Sequence, residues 1–244
     1  LVGSEMCIRD SAYYDTDLTA ANAVMMLYRK GVEISTIHKV LSIGMLGLKR
    51  NRRLVPTRWS ISATDSIISS RLIDEIKVNR PIDSFEVAQF SRLGNYYSLV
   101  LIPDDVWRFE MMEIWIDRNG KVLVASEYEG PNGLNHPPSI AGAYFAARLS
   151  VVEHLVKLSR KASILVIREI HPDYALPVGV WQIREGTREA LRRPTKIFEE
   201  MNSAIAFACM KMSISKTDLI SKSKLFSALT KQARITDFAN CHHK

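Results

Sequence analysis

Cysteine is scarce in this chain. Cys7, Cys209 and Cys241 are all that 244 residues hold, and no two form a CxxC pair. A disulfide framework and a zinc finger are therefore not encoded here, and a reducing, cytosolic setting is the default expectation. Long apolar runs are missing too. The longest, Ser203 to Met212, falls well short of the roughly 20 residues a membrane span needs, and Lys211 interrupts it, so no membrane partner is expected. Nor is there a Walker loop, a nucleophile elbow or an HExxH pair. Acid is the minority charge: 33 Lys and Arg against 26 Asp and Glu leave +7, which suits a polyanionic partner, or simply solubility. The chain also opens without Met. Its first residues, LVGSEMCIRDS, are too polar for a secretory leader and resemble a translated sequencing-adapter remnant. Residues 1–11 are accordingly set aside as non-native, with the natural N-terminus expected upstream.

What is present reads as an α+β body over residues 12–212 followed by a basic tail, 213–244. Asp17 to Lys30 has helical spacing, with Leu18, Ala21, Met25 and Tyr28 on one face, Asp17 as N-cap and Gly31 as stop. A short helix follows from Ser35. Lys49-Arg50-Asn51-Arg52-Arg53 then leads into a segment that Pro56 keeps extended, and Ser62 or Thr64 is placed to cap the next helix. From Ile82 to Ser126 the period changes to strands, an antiparallel meander with turns at Gly94-Asn95, Pro103-Asp104-Asp105 and Asn119-Gly120. A long helix from about Ser139 to Arg160 carries small residues at 141–143 and 146–147, so another element can approach it closely. A buried strand, Ile164 to Ile167, ends in Arg168-Glu169. Helices close the body, and no internal repeat appears.

The tail carries Lys216, Lys222, Lys224, Lys231 and Arg234 against Asp218 and Asp237, and reads as a weak helix, then a flexible, solvated linker. Near its end, Gln232, Ile235 and Phe238 recur every three residues. In a 3₁₀ turn Ile235 and Phe238 fall on one side and can enter an apolar pocket while Gln232 hydrogen-bonds at the rim. The alternative is an ordinary helix end. The pattern resembles the peptide by which replication and repair proteins dock on the sliding clamp PCNA, with Ala239 where a second aromatic is usual.

Three internal blocks resemble the archaeal Nre family in the same order: Arg53-Leu54-Val55-Pro56-Thr57-Arg58-Trp59-Ser60-Ile61-Ser62-Ala63-Thr64-Asp65, then Gly142 to Arg148, then Arg168-Glu169-Ile170 with Pro177 to Glu185. The resemblance implies an archaeal, cytoplasmic and nucleoid-associated protein of DNA repair that docks on PCNA. Members commonly carry an N-terminal four-cysteine cluster expected to bind zinc. Nothing in this chain corresponds to it, so neither zinc nor any other cofactor is assigned here.

The chemistry these blocks allow is open at several points. Arg148, Arg168, Arg184 and Arg188 can converge on a phosphate through bidentate forks. Equally, Arg168 can bridge to Glu169 or Glu185, and Arg184 to Glu185 or Glu153. Arg52, Arg53 and Arg58 form the best local footprint for nucleic acid, or a solvated loop. Trp59, Tyr144 and Trp181 can stack on bases, or sit in the core. Glu169, Glu185 and His171 are the candidates for acid or base work, although a lone loop histidine is more often a surface residue. Glu127 and Glu129, in the loop after the last strand of the meander and two residues apart, would share a face and suit a metal or base role, or simply decorate that solvent loop. Cys241-His242-His243 reads as an unstructured end, and no metal ligands are assigned. The favoured reading is a repair accessory protein recruited to the clamp, its basic body on DNA. The alternative is an enzyme of nucleotide or phosphate-ester chemistry with an Arg-lined pocket. A purely structural adaptor would pair all its arginines internally.

Overall fold

Apolar residues recurring at helical spacing build the first part of the molecule, and alternating ones the second. The computed structural model describes residues 2–174 and 179–231, and the chain divides into two compact units. The first comprises residues 1–79, 141–160 and 178–185, and the second residues 80–140, 161–177 and 186–244. The class is α+β, as expected.

The first unit is helical. It holds α1 (Val2–Tyr14), α2 (Ala20–Arg29), α3 (Ile34–Ser42), a 3₁₀ turn at Lys49–Asn51, α4 (Thr57–Ile76), α5 (Ala141–Leu158) and the opening of α6 (Val180–Arg192). Ala23, Val24, Met25 and Leu27 of α2 are buried, as are Ile37, Val40 and Leu41 of α3. The N-cap of α2 is Thr19, whose hydroxyl accepts from Asn22 N at 3.3 Å, while the nearby Asp15 carboxylate takes the N–H groups of Asp17 and Leu18. Thr19 thus does the work expected of Asp17. Helix α4 starts earlier than the side chains of Ser62 and Thr64 suggest. Pro56, fixed near φ −50° and ψ 134°, serves as its N-cap and delivers an extended chain straight into the first turn. Helix α5 packs along α4. At its start Gly142 is in close contact with Val180: an added Cβ would lie 2.6 Å from a Val180 methyl, the close approach expected of the small residues there.

The segment before α4 is stitched to the end of α3. Val55 N donates to Ser42 O at 2.8 Å, and Ser42 Oγ donates to Val55 O at 2.7 Å. Gly44 permits this crossing: it sits at φ +76°, and a Cβ there would meet Arg53 O at 2.7 Å.

The second unit is built on strands. After the two-residue β1 (Arg80–Pro81) come β2 (Phe85–Arg92), β3 (Asn95–Ile102), β4 (Phe109–Ile116) and β5 (Val122–Glu129); β6 (Arg160–Lys161) precedes β7 (Ser163–Ile170), and β8 (Lys196–Phe198) is last. Six of them form one mixed sheet in the order β5-β4-β7-β3-β2-β8. The meander is thus two hairpins, β2-β3 and β4-β5, with β7 inserted between them, antiparallel to β3 and parallel to β4. The first hairpin turns at Leu93 and Gly94, both at positive φ, and Arg92 faces Asn95 across it. All of β7 is buried, Arg168 and Glu169 included, so these two lie within the strand rather than just past it.

Three further helices, α7 (Met201–Cys209), α8 (Lys216–Lys222) and α9 (Lys224–Lys231), belong to this unit. Val87, Val100, Ile102, Met112, Ile114, Leu165 and Ile167 of the sheet share one apolar cluster with Ala204, Ile205, Leu219, Leu225 and Phe226. Helical packing therefore runs past Met212 to Lys231. The basic tail's two apolar groups, Leu219-Ile220 and Leu225-Phe226 with Leu229, pack on the sheet: Leu219, Leu225 and Phe226 are core, and Ile220 and Leu229 are partly buried against it. Glu110 of β4 locks α9 in place: its carboxylate accepts from Ser223 Oγ at 2.5 Å, Lys224 N at 3.1 Å and Leu225 N at 3.0 Å.

Candidate nucleic-acid interface

Arg148, Arg168 and Arg184, from the second and third family-like blocks, point inward, and each meets an internal partner. In the helical unit Arg148 of α5 donates from Nε to Ser69 Oγ at 3.0 Å, and from its terminal nitrogen to Ser70 Oγ at 3.1 Å and Ser66 O at 3.3 Å. Its guanidinium lies 5.6 Å from the Tyr144 ring centre and 5.1 Å from that of Phe145. Arg184 of α6 pairs with the fully buried carboxylate of Asp65 on α4, and Ser150 Oγ donates to Arg184 O at 3.0 Å. His38 Nε2 is 3.4 Å from the other oxygen of Asp65. Segments from all three blocks therefore meet inside one unit. In the sheet unit, Arg168 donates to Glu113 Oε1 at 2.6 Å and to Asn95 Oδ1 at 2.8 Å.

These pairings differ from those expected. Glu113 replaces Glu169 or Glu185 as the partner of Arg168, because residues opposite each other on β4 and β7 share a sheet face and neighbours in sequence do not. Asp65 replaces Glu185 or Glu153 as the partner of Arg184, and Glu153 instead accepts from Tyr28 Oη at 3.0 Å. Arg148, Arg168 and Arg184 are each only 5–6% exposed, and their forks already grip protein oxygens. They do not present themselves to an external phosphate. Arg188 is half-buried on α6. Tyr144 has no exposed surface, so it is not a stacking platform, whereas Trp59 and Trp181 are each 59% exposed.

The basic run divides in two. Arg52 turns inward as a clamp on three carbonyls, donating to Gly47 O at 2.7 Å, Tyr13 O at 2.7 Å and Asp15 O at 2.9 Å. Lys49, Arg50, Arg53 and Arg58 remain exposed, along with Leu54. The Arg58 guanidinium lies 5.9 Å from the Trp59 ring centre, which leaves cation and ring side by side at the first turn of α4. The α3 stitching and the Arg52 clamp brace the backbone of this edge. Chemically it offers point charges, one planar fork beside an indole, and the positive end of a 20-residue helix.

The acidic candidates are less exposed than their spacing suggests. Glu169 is fully buried and accepts from Ser213 N at 2.7 Å, Ser213 Oγ at 3.1 Å and His171 Nε2 at 2.7 Å. The His171 side chain keeps about a third of its surface and lies 4.7 Å from the Tyr96 ring centre. With Nε2 bound to the carboxylate, the neutral imidazole carries its lone pair on Nδ1. Glu185 is half-buried on α6. Glu127 and Glu129 do not decorate a loop: they close β5 and are buried, Glu127 accepting from Ser139 N at 2.8 Å and Glu129 from Trp107 Nε1 at 2.6 Å. Sequence reasoning left Asp65, His38 and the anchoring role of Glu110 unassigned. Asp65 closes the first family-like block, and that was the available signal. Burial raises the carboxyls of Glu110 and Glu113 above their ordinary range, opposed at Glu113 by Arg168. It also pushes the Tyr97 hydroxyl up to about 12.

Among the described residues no group of three or more His, Cys, Asp or Glu is arranged to hold a metal ion, and no helix is long and apolar enough to cross a membrane. The clamp-type peptide, Gln232, Ile235, Phe238 and Ala239, lies outside the described residues, as does Cys241-His242-His243.

Comparison with known proteins matches the chain almost end to end. The profile described as archaeal Nre, N-terminal, covers residues 7–119, and that of archaeal Nre, C-terminal, covers residues 129–238. The chain is 36% identical over 221 residues to DNA repair protein NreB of Archaeoglobus fulgidus, an overlap of 88% of this chain and 56% of that protein. It is 36% identical over 208 residues to DNA repair protein NreA of the same organism, covering 83% of this chain and 52% of the relative. With NreA of Haloferax volcanii the figure is 37% over 233 residues, 92% of this chain and 55% of the other. The chain thus spans about half the length of these relatives. No solved structure gives a significant match. With both family profiles matched in order, and its own three blocks meeting as described, this chain belongs to the archaeal Nre family.

Proposed function

We propose that this chain acts in DNA repair, and that it is brought to DNA by docking Gln232, Ile235, Phe238 and Ala239 on the PCNA sliding clamp. In this reading the exposed edge at the start of α4 (Lys49, Arg50, Arg53, Arg58 and Trp59) then contacts nucleic acid. The observation that carries it is the sorting of the cations. Arg148, Arg168 and Arg184 are buried against internal partners, while Lys49, Arg50, Arg53 and Arg58 stay exposed with an indole on one braced edge. Cations of this kind attract the phosphate backbone without reading sequence. The relatives, named as DNA repair proteins, support the pathway. A clamp tether raises the local concentration of such a body on DNA, so modest intrinsic affinity suffices. Work on chromosomal DNA also implies the cytoplasm and the nucleoid as its place.

The test is calorimetric titration of the full chain and its Phe238→Ala variant into an archaeal PCNA. Loss of a buried aromatic anchor is expected to weaken binding by about 2 kcal/mol or more. Equal affinity for the two chains means that this peptide is not the docking element.

A second reading draws on the Glu169 and His171 pair. A buried carboxylate that orients a partly exposed imidazole is the arrangement of a general base, and it would serve phosphate-ester hydrolysis. His171→Ala should then abolish any hydrolysis of nucleic acid or nucleotide while leaving DNA binding intact.

A further inference from the structure

One concavity of the helical unit stands apart from the basic edge. It is a half-open cleft of about 470 Å³ between α2 and α4, lined by Asn22, Met25, Met26, Arg29, Lys30 and Arg71. That volume falls within the roughly 300–1,000 Å³ of small-ligand pockets. Its walls combine two chemistries. Half-buried Met26, with the small exposed part of Met25 beside it, supplies polarisable thioether surface, which favours contact with flat aromatic rings. Arg29, Lys30 and Arg71 supply three cations around it.

The cations are available. Among the described residues Lys30 and Arg71 make no ion pair, and Arg71 reaches only Asn22 Oδ1, at a long 3.5 Å. Arg29 pairs with Glu75 at 2.7 Å, but both side chains are well exposed, so the bridge is weak and exchangeable. Asn22 offers an amide that can both donate to and accept from a base edge. A bare anion has no use for the thioethers, and an apolar ligand has none for three cations. A molecule with a flat ring at one end and a phosphate at the other uses both.

We infer that this cleft binds a nucleotide, its base against Met25 and Met26 and its phosphate held by Arg71, Lys30 and Arg29. The nucleotide is either free in solution or the 5′-phosphorylated end of a DNA strand. The edge at Arg58 does not line this site.

The experiment follows the methyl resonances of Met25 and Met26 while AMP, adenosine and inorganic phosphate are titrated in turn into the full chain. AMP is expected to shift both methyls, at concentrations where adenosine and phosphate do little. Arg71→Ala, at an exposed position, should keep the native melting curve and weaken AMP binding by about tenfold or more, as for a lost charge-assisted hydrogen bond. Arg58→Ala should bind AMP like the parent chain, which separates this site from the DNA edge. Competition by a 5′-phosphorylated oligonucleotide assigns the nucleotide to a DNA end, and its absence assigns it to the free pool. The inference is overturned if AMP leaves the methyls unmoved, if phosphate alone matches AMP, or if Arg71→Ala binds AMP unchanged.

Discussion

Arg184 and Arg58 lie in the same helical unit and carry the same charge, yet they do opposite things. Arg184 is buried against Asp65, and Arg148 nearby is buried against serine oxygens and two rings. Arg58 stands in solvent beside Trp59, on an edge it shares with Lys49, Arg50 and Arg53. A guanidinium taken out of water must recover its hydration from fixed partners, and those partners then cancel its field outside. A formal charge of +7 therefore says little about where positive potential is available. The arginines inside set the shape of the unit, and the cations outside set what it attracts.

That contrast can be broken most forcefully from the inside. Arg184→Ala strands the Asp65 carboxylate in the core and should lower stability by about 3–5 kcal/mol, measured by urea unfolding. A loss under about 1 kcal/mol would show the pair to be solvated and the inside–outside distinction false. A smaller effect is expected in the sheet unit. Glu110→Ala leaves Ser223 Oγ, Lys224 N and Leu225 N without their acceptor, which should cost about 3 kcal/mol and raise amide exchange across α9.

The same carboxylate has a pH signature. Burial raises Glu110 and Glu113 above the ordinary 4.5, so the folded state binds their protons more tightly than the unfolded state does. Stability from these groups is then complete below 4.5 and falls as pH rises from there through the folded values. Glu110→Gln should flatten its share of that slope, and an unchanged slope would contradict the assignment. The smallest change belongs to the exposed edge. Arg53→Ala and Arg58→Ala should each alter stability by no more than about 0.5 kcal/mol. Each should also reduce the salt dependence of DNA binding by about 0.9 in the log–log slope. Unaltered slopes in both would remove this edge from the interface.

Much of the fold was legible because period and turn chemistry are local. The hairpins and the α5 helix follow from alternation, from Gly94 and Asn119-Gly120, and from small residues at helical spacing. Less legible were matters decided by partners distant in sequence. Nothing near Arg168 announces Glu113, 55 residues away, and nothing near Arg184 announces Asp65, 119 residues away. Tyr144 and Trp59 look alike in a list of aromatics, and only packing separates a core ring from an exposed one. The insertion of β7 between two hairpins is likewise a long-range choice, since a meander and a split meander share one local pattern. The tail misled for a different reason. Its lysines dominate the composition, while the two apolar groups that hold α8 and α9 are short enough to pass for noise.

The Glu110 anchor has one more consequence, and it concerns leash length. Helix α9 is described through Lys231, and the clamp-type peptide begins at the next residue, Gln232. The part of the tail that reads as a weak helix and solvated linker is, as far as Lys231, a pair of helices packed on the sheet, so it adds no slack. Any surface that captures Ile235 and Phe238 must come within a few residues' reach of the sheet unit. The proposed docking would then work as a short bracket, setting the body down on one bank of its partner rather than leaving it to sweep a wide volume around it.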